Sequence, residues 1–318
     1  MSAVGEKRKK TDSPSRTWWG AEKCERCTNK AYYAVGDKLM CGVHSRNVKR
    51  TELPKNPNAV YEAIDRRVAR EKRVEEVALE NQRAGREGTL TVAKLLMMRE
   101  PPHVDDVRNV FPNNKHQNRQ DGFGCASLSP MQLGPVKHNQ PGVPEALSIE
   151  NYHQFNKVFA RELDGSVQDI RLANVKPAFF TARDAAYRDP VPHRRKFDDE
   201  KGIGGNRNIP VFSIHIAPNG DQRRYTYQQS RYFYCHQYEL LAKETHDFKK
   251  LCYWLANGYD LQIVGYDGYP ITKTLMEHYM DPEKPFGHEL VLYSLLSIRN
   301  PVDYPWNVFY RQNRELYD

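Results

Sequence analysis

The chain has 318 residues, 39% of them apolar, and a net charge of +8, which suits one large domain or two smaller ones. Its apolar runs are far shorter than the ~18 residues of a transmembrane helix, and its first residues lack the apolar stretch of a secretory signal. These features argue against the membrane-spanning and secreted classes. We expect an intracellular protein, nuclear or cytoplasmic, that has no membrane partner.

Basic residues are concentrated at the N-terminal end of the chain. Residues 1–60 contain 13 Lys and Arg against 6 Asp and Glu, whereas the remainder is nearly balanced at 35 against 34. Residues 1–18 are predicted to be a disordered basic tail. Its Lys7–Lys10 cluster fits a nuclear-import signal, a loose nucleic-acid contact or a plain solvated tail. We therefore expect any nucleic-acid contact to lie in residues 1–60.

The stretch "CERCTNKAYYAVGDKLMCGVH" has the spacing C-x2-C-x13-C-x2-H. Three thiolates and one imidazole make a complete tetrahedral set for structural Zn²⁺, and the predicted ligands are Cys24, Cys27, Cys41 and His44. Gly36 and Asp37 predict a hairpin turn between the two pairs. A short helix from Cys41 would carry the second pair, so the predicted finger, residues 19–52, resembles a treble-clef finger.

The predicted zinc role is structural, because four protein ligands leave no coordination position for a catalytic water. A segment of this size cannot hold a core without the metal. The basic side chains of the finger fit contact with nucleic-acid phosphates. A protein-binding finger would have the same composition, so both kinds of partner stay open.

Residues 53–120 are predicted to be a helical arm and linker. Charges of alternating sign and a thin apolar stripe predict an exposed helix over residues 59–83. A second short helix is predicted over residues 91–100, where Pro101 and Pro102 end it. Residues 103–146 are dense in Gly, Pro and Asn, which predicts loops.

Residues 121–318 are predicted to form an α+β domain that is rich in helix and contains a small sheet. Its predicted helices cover residues 147–159, 228–243, 246–257, 272–279 and 287–299, and its predicted strands cover residues 211–217, 223–227 and 261–265. The first two strands flank the turn "PNGD" and predict a hairpin. Residues 188–208 read as a long irregular stretch.

The predicted helix at residues 147–159 carries a polar stripe beside its apolar face. The stripe consists of Glu150, His153, Gln154 and Lys157 at i, i+3, i+4 and i+7. An ordinary amphipathic helix has such a stripe facing water. The lining of a pocket would have the same spacing, so the stripe alone leaves both interpretations open.

The order of the later segments resembles the NADAR family. In that family, a helix with a Glu-His-x-x-Gln-x-x-Lys pattern follows a Ser-Pro segment; here the segment is "LSPMQLGPV", and Asn151 stands at the His position. A helix pair, a strand followed by an acid and a Gly-led helix ending in Arg come next, with Asp267 as that acid. The resemblance spans about residues 127–300 and is one of order and spacing. The same segments resemble uncharacterised proteins of large DNA viruses and phages, which suggests a virus-infected cell as the setting.

The NADAR resemblance implies cleavage of an N-glycosidic bond in a nucleotide-like small molecule or an ADP-ribosylated target. Such cleavage passes through an oxocarbenium-like state that needs a nearby negative charge and a positioned water. Glu150 and Asp267 would then be the catalytic carboxylates. The implied substrate contacts are polar, cationic or aromatic side chains: Gln154, Lys157, Arg194, Arg231 and Tyr266.

Two classes of function remain open from the sequence. The first is this N-glycosidase-like hydrolase, in which the zinc finger serves recruitment. The second is a non-enzymatic zinc-finger protein that binds nucleic acid or protein, including a virion-associated one. In that case Asp267 would simply form the turn in "YDGY". The hydrolase requires Glu150 and Asp267 to meet in one cleft, whereas a scaffold would leave them apart or fill the cleft.

Overall fold

The computed structural model describes residues 23–27, 31–53, 57–96, 101–165, 168–195 and 210–318, with the side chains of residues 57–63 excepted. The strands are β1 Tyr33–Val35, β2 Lys38–Met40, β3 Thr51–Glu52, β4 Leu90–Lys94, β5 Arg108–Phe111, β6 Phe123–Gly124, β7 Lys157–Val158, β8 Phe212–Ile216, β9 Gln222–Tyr225 and β10 Leu261–Gly265. The α-helices are α1 Pro57–Arg83, α2 Ile149–Phe155, α3 Pro177–Tyr187, α4 Tyr227–Ala242, α5 His246–Ala256, α6 Leu275–Met280, α7 His288–Ser297, α8 Pro305–Gln312 and α9 Arg314–Tyr317. Helices outweigh strands, and the predicted α+β class is confirmed.

The N-terminal unit is a small antiparallel sheet with strand order β2-β1-β3. Strands β1 and β2 form the predicted hairpin, in which Val35 pairs with Lys38 and Gly36 takes a φ of +65° that favours glycine. The helix predicted from Cys41 is absent, because residues 41–50 form successive turns with Asn47 at a φ of 67°. The predicted basic tail, residues 1–18, lies outside the described residues.

Helix α1 confirms the predicted long helix, but its C-terminal half is docked rather than free. Val74 and Ala78 are each 1% exposed. Asn81 Nδ2 donates to the carbonyl of Gly258 at 2.9 Å. A Cβ atom on Gly258 would lie 2.7 Å from the Ala78 carbonyl oxygen, so only glycine permits this close approach.

The central sheet is parallel and has the strand order β4-β10-β5-β6. Strand β10 pairs with β4 from Leu261 opposite Leu90 to Gly265 opposite Lys94. The short helix predicted over residues 91–100 is therefore wrong where the strand runs. Since β4 and β5 belong to this sheet, the α+β body begins before the predicted boundary at residue 121.

The second sheet is antiparallel and has the order β7-β8-β9. Strands β8 and β9 are the predicted hairpin, with Gly220 in its turn at a φ of +89°. The helix predicted over residues 147–159 ends at Phe155, and Lys157 begins β7 instead. Helix α3 was not predicted from the sequence.

The main hydrophobic core lies between the parallel sheet and the helices α2, α4, α7 and α8. Tyr238, Ile263, Leu290 and Trp306 are each 0% exposed within it. Helix α7 packs against β4 and β10, which places its first turn beside the carboxyl end of β10. Among the described residues, none of the helices combines the length and the apolar character that a bilayer crossing requires.

Candidate functional site

The four predicted zinc ligands come together in one cluster. The closest contacts join Cys24 Sγ to His44 Nδ1 at 3.3 Å, Cys41 Sγ to His44 Nδ1 at 3.6 Å and Cys27 Sγ to Cys41 Sγ at 3.8 Å. All four ligand atoms lie within 4.8 Å of one another, and the cysteines are not disulfide-bonded. A tetrahedron with ~2.3 Å metal–sulfur and ~2.0 Å metal–nitrogen bonds has edges of about 3.5–3.8 Å. The cluster is therefore compatible with a metal ion.

Short-range hydrogen bonds position these ligands. The amide of Cys27 donates to the carbonyl of Cys24 at 3.2 Å, which turns both sulfurs to the same side. Both the amide and the hydroxyl of Ser45 donate to the carbonyl of Cys41, at 3.0 and 2.8 Å. Arg50 donates to the Ser45 hydroxyl and lies 3.9 Å over the Tyr33 ring. The guanidinium of Arg50 thus stabilises the finger itself.

The surroundings of the Cys41 thiol lower its pKa. Burial opposes ionisation, but hydrogen bonds at the backbone of His44 and Val43, and further ones from Cys24 and Cys27, outweigh it and lower the pKa of Cys41. Metal binding needs the thiolate, so this environment favours a metal ligand.

The second cluster of polar side chains, which we call the carboxylate site, starts at the N-terminal end of α2. Glu150 lies in the first turn and is 8% exposed, and its amide donates to the Pro130 carbonyl at 2.9 Å. Gln154 Nε2 donates to Glu150 Oε1 at 3.2 Å, and Lys157 Nζ donates to Gln154 Oε1 at 3.4 Å. Three members of the polar stripe, Glu150, Gln154 and Lys157, therefore form a hydrogen-bonded row, and each of them is buried or half-buried.

Asn151 connects this row to the segment after α3. Its side chain is 0% exposed. Its Nδ2 donates to the carbonyls of Ala186 at 2.9 Å, Asp189 at 3.1 Å and Val191 at 3.1 Å, and its Oδ1 accepts from the amide of His193 at 2.7 Å. One buried amide thus fixes the backbone immediately before Arg194.

Arg194, in the segment after α3, lies beside the carboxylate of Glu150. Its Nε lies 3.6 Å from Glu150 Oε1, while its side chain is 60% exposed. The remaining guanidinium nitrogens have no partner among the described residues. Arg194 therefore combines one contact to Glu150 with donors that face outward.

Asp267 is the second residue after β10 and is half-buried. Its carboxylate has no hydrogen-bond partner within the described part of the chain. Burial lowers the pKa of Lys157 to about 8, whereas the charges of Glu150 and Asp267 act on Lys157 in the opposite direction.

A third carboxylate, which the sequence-based prediction missed, lies in the first turn of α7. Glu289 is 0% exposed, and neither of its oxygens has a hydrogen-bond partner among the described residues. A Cβ atom on Gly265 would lie 1.8 Å from Glu289 Oε1, so the carboxylate rests on glycine backbone. The available signal was an acidic residue at the start of an otherwise apolar helix, "HELVLYSLLS".

Glu289 and Asp267 approach the same small space. A Cβ atom on Gly287 would lie 3.0 Å from Glu289 Oε2 and 3.7 Å from Asp267 Oδ2. Tyr234 packs against His153 of α2 with ring centroids 4.7 Å apart, and burial raises the pKa of Tyr234. Glu289 and Asp267 thus lie beside Gly287, while Glu150 lies in the first turn of α2.

Two predicted substrate contacts have other partners. Arg231 is 4% exposed and donates through Nη2 to the Lys284 carbonyl at 2.7 Å and through Nη1 to the Tyr279 carbonyl. Tyr266 packs against His116 with ring centroids 5.5 Å apart, and burial lowers the pKa of His116 to about 4. In this structure, Arg231 holds loop backbone, and Tyr266 forms an aromatic pair.

No family model, curated protein or solved structure matches the chain. The fold and the two polar groups define an α+β protein with a metal-compatible N-terminal finger and a carboxylate site at the edge of its parallel sheet.

Proposed function

We propose that this protein is an N-glycosidase-like hydrolase. Its substrate would be an ADP-ribose, nucleotide or ribose-phosphate compound, either free or attached to a target. The observation that carries this proposal is the hydrogen-bonded row of Glu150, Gln154 and Lys157, with Arg194 Nε 3.6 Å from Glu150 Oε1. The carboxyl ends of parallel strands, where Asp267 lies, are a common position for ligand sites.

The two carboxylates suit different roles in this chemistry. Gln154 and Arg194 fix Glu150, so we assign Glu150 to stabilise the positive charge that develops on the sugar. Asp267 has no competing hydrogen bond among the described residues, so we assign it to activate the attacking water. The reaction breaks the bond between the sugar C1′ and the nitrogen. The water supplies a hydroxyl to C1′ and a proton to the departing nitrogen.

The cations beside Glu150 fit the phosphate of such a substrate. Arg194 faces Glu150 only through Nε, which leaves its planar pair of terminal nitrogens for two phosphate oxygens. Lys157 is half-buried, with its pKa lowered to about 8 by burial, and would gain a compensating charge when an anion binds. These contacts favour an anionic ribosyl compound over a neutral nucleoside.

The metal in the finger would be Zn²⁺, bound by Cys24, Cys27, Cys41 and His44. A set of soft thiolates with one imidazole favours Zn²⁺ over harder cations. The bound ion would fold the finger, which then recruits the hydrolase to its target.

The first test is a thermal-shift panel on the full-length protein with ADP-ribose and ribose 5-phosphate. A ligand that binds only the folded state raises the midpoint of unfolding. For a ligand that binds, hydrolysis is then measured with wild type and with Glu150→Gln. We expect Glu150→Gln to lower turnover by at least about 100-fold, while Glu145→Gln, a control at an exposed site, keeps it. Full turnover by Glu150→Gln would remove the assigned role.

A second candidate function is nucleic-acid binding through the finger without catalysis. Residues 23–27 and 31–53 carry six Lys and Arg against three Asp and Glu. This function predicts binding to nucleic acid that weakens steeply with added salt and is lost when the metal is chelated. It also predicts no thermal shift with either ribose phosphate compound.

A further inference from the structure

Asn151 directly follows Glu150 in α2, but its side chain bonds a different part of the chain. It is 0% exposed, and all four of its hydrogen bonds to residues 186–193 go to backbone groups. Its Nδ2 donates to three carbonyls, and its Oδ1 accepts from the His193 amide. The reversed amide would set an oxygen against three carbonyl oxygens, so the surroundings admit one orientation only.

Arg194 is the residue immediately after this anchored backbone. Its Nε lies 3.6 Å from Glu150 Oε1, although its side chain is 60% exposed. An exposed arginine samples many rotamers, and a ligand must pay the entropy of holding the side chain and any loose backbone beneath it. A backbone that is already fixed at His193 reduces this cost for a ligand of Arg194.

Two other contacts hold this segment less directly. His193 Nε2 lies 2.7 Å from Asp189 Oδ2, but both side chains are more than a third exposed, and the pair joins two residues of the same segment. Arg195 is anchored through its long side chain, which donates to the Lys157 carbonyl at 2.5 Å. Neither contact ties the backbone before Arg194 to the helix that carries Glu150, as Asn151 does.

We propose that Asn151 is a positioning residue for phosphate recognition, which acts through the backbone of residues 186–193 to hold Arg194 beside Glu150. Glu150 and Asn151 are neighbours, so one turn of α2 sets the positions of both the carboxylate and the cation. The terminal nitrogens of Arg194 are thereby presented to an anion in a geometry that exists before binding. The phosphate role rests on the proposed function, whereas the placement of Arg194 does not.

A double-mutant cycle on binding separates positioning from a general loss of stability. Calorimetric titration with ribose 5-phosphate is performed on the full-length wild type, Asn151→Ala, Arg194→Gln and the double variant. We expect Asn151→Ala to weaken binding about tenfold, as for loss of a charged hydrogen bond. The double variant should bind no more weakly than Arg194→Gln, because the side chain to be positioned is already absent. Losses that multiply would overturn the proposal.

Two further variants control for unfolding. Leu251→Ala truncates a side chain of α5 that is 0% exposed, so it destabilises the core and should still bind ribose 5-phosphate as wild type does. Asn151→Asp keeps the volume and the acceptor for the His193 amide. Even when protonated, it offers one O–H in place of two N–H groups, so it should lose affinity as Asn151→Ala does. An equal loss in Leu251→Ala would contradict the positioning role.

The placement of Arg194 can be measured without any ligand. The protein is labelled with ¹⁵N in arginine, and the heteronuclear NOE of the Arg194 Nε–Hε group, assigned from Arg194→Gln, reports its motion on the picosecond to nanosecond timescale. This NOE should fall in Asn151→Ala. Arg223, whose Nη2 donates to the Asp318 carbonyl at 2.9 Å, should be unchanged in the same spectra. An Arg194 signal that is equal in both proteins would show that Asn151 does not hold it.

The two measurements distinguish failure of this inference from failure of the proposed hydrolase. If the wild type does not bind ribose 5-phosphate, the phosphate role of Asn151 falls with the proposed function, and the Arg194 signal still decides its placement. If the wild type binds and Asn151→Ala binds equally well, the positioning role is overturned and the hydrolase stands.

Discussion

The finger and the α+β body hold their polar groups in opposite ways. In the finger, the buried cluster consists of Cys24, Met40 and Cys41, with Cys27 and Val35 packed beside it, so most of its members are metal-ligand candidates. In the body, the buried acids lie beside a core of many aliphatic and aromatic side chains. The apolar core of the body can therefore stabilise its buried acids. The finger, in contrast, depends on metal binding by its cysteines for its own stability.

Metal removal should give the largest difference between the two regions. Binding of a structural Zn²⁺ contributes roughly 10–16 kcal/mol to the folding of small zinc-binding units. We expect chelation, or the Cys24→Ser/Cys27→Ser double variant, to unfold residues 23–53 and leave the body folded. Limited proteolysis with mass spectrometry would locate the cleavage sites, and metal analysis should find about one zinc per wild-type chain.

Cys252→Ser is the matched control for metal binding, since Cys252 is an exposed free cysteine far along the chain from the cluster. It should keep the zinc and the proteolysis pattern of wild type. Zinc retained by the double variant would contradict the assignment of the ligands.

Acid should act on the body through its buried histidines. Burial lowers the pKa of His215 to about 3 and that of His116 to about 4, while an unfolded histidine titrates near ~6.5. Below that pH the unfolded state binds more protons, so the free energy of unfolding falls as pH falls. The loss approaches about 1.4 kcal/mol per pH unit for each histidine until its folded pKa is reached, or roughly 4 kcal/mol for both between pH 6.5 and 4.5.

Urea unfolding followed by tryptophan fluorescence at several pH values measures this slope. His215→Gln should remove about one proton from the slope, whatever it does to stability at neutral pH. His246→Gln is the control, because the His246 side chain is 88% exposed, and it should follow wild type. Equal slopes for all three proteins would refute the role of His215.

Loss of the buried Asn151 amide should have an intermediate effect. Asn151→Ala removes four hydrogen bonds and leaves buried backbone groups without a partner, which should lower the free energy of unfolding by about 2–4 kcal/mol. Asn219→Ala, in the exposed turn of the β8–β9 hairpin, should cost less than ~1 kcal/mol. Faster amide exchange confined to residues 186–195 would locate the effect, and wild-type stability of Asn151→Ala would count against it.

Arg194 should have the smallest effect on stability. Its ion pair with Glu150 spans 3.6 Å and its side chain is 60% exposed, so Arg194→Gln should change the free energy of unfolding by less than about 1 kcal/mol. The same variant should weaken binding of ribose 5-phosphate by about tenfold or more, as expected for loss of a charged hydrogen bond. Arg188→Gln, an exposed control on the same segment, should leave calorimetric binding unchanged.

The metal-compatible cluster was predictable because its ligands are encoded within 21 residues of sequence. The hairpin at Gly36 and the helices α4 and α5 were predictable for the same reason, since turn chemistry and apolar periodicity are local. No helix forms after Cys41, because this segment turns so that His44 lies beside the cysteines.

The strand conformation of β4 and the burial of Glu289 depend on contacts with residues that are distant in sequence. The apolar residues of Leu90–Lys94 would also suit a helix. This segment forms a strand because it pairs with residues 261–265. An acid in the first turn of a helix is ordinary in sequence, because it complements the helix dipole. Only the approach of Gly265 and Gly287 makes Glu289 exceptional. The Pro at the start of α3 is a helix signal, although no helix was predicted there.

The order of the parallel strands constrains how the protein acquires its structure. Strand β10 lies between β4 and β5, although it follows them by about 150 residues or more. During synthesis the two earlier strands must wait for β10 with open backbone edges, because their neighbour has not yet left the ribosome. Such distant pairing slows folding and leaves unpaired strand edges exposed until β10 is made.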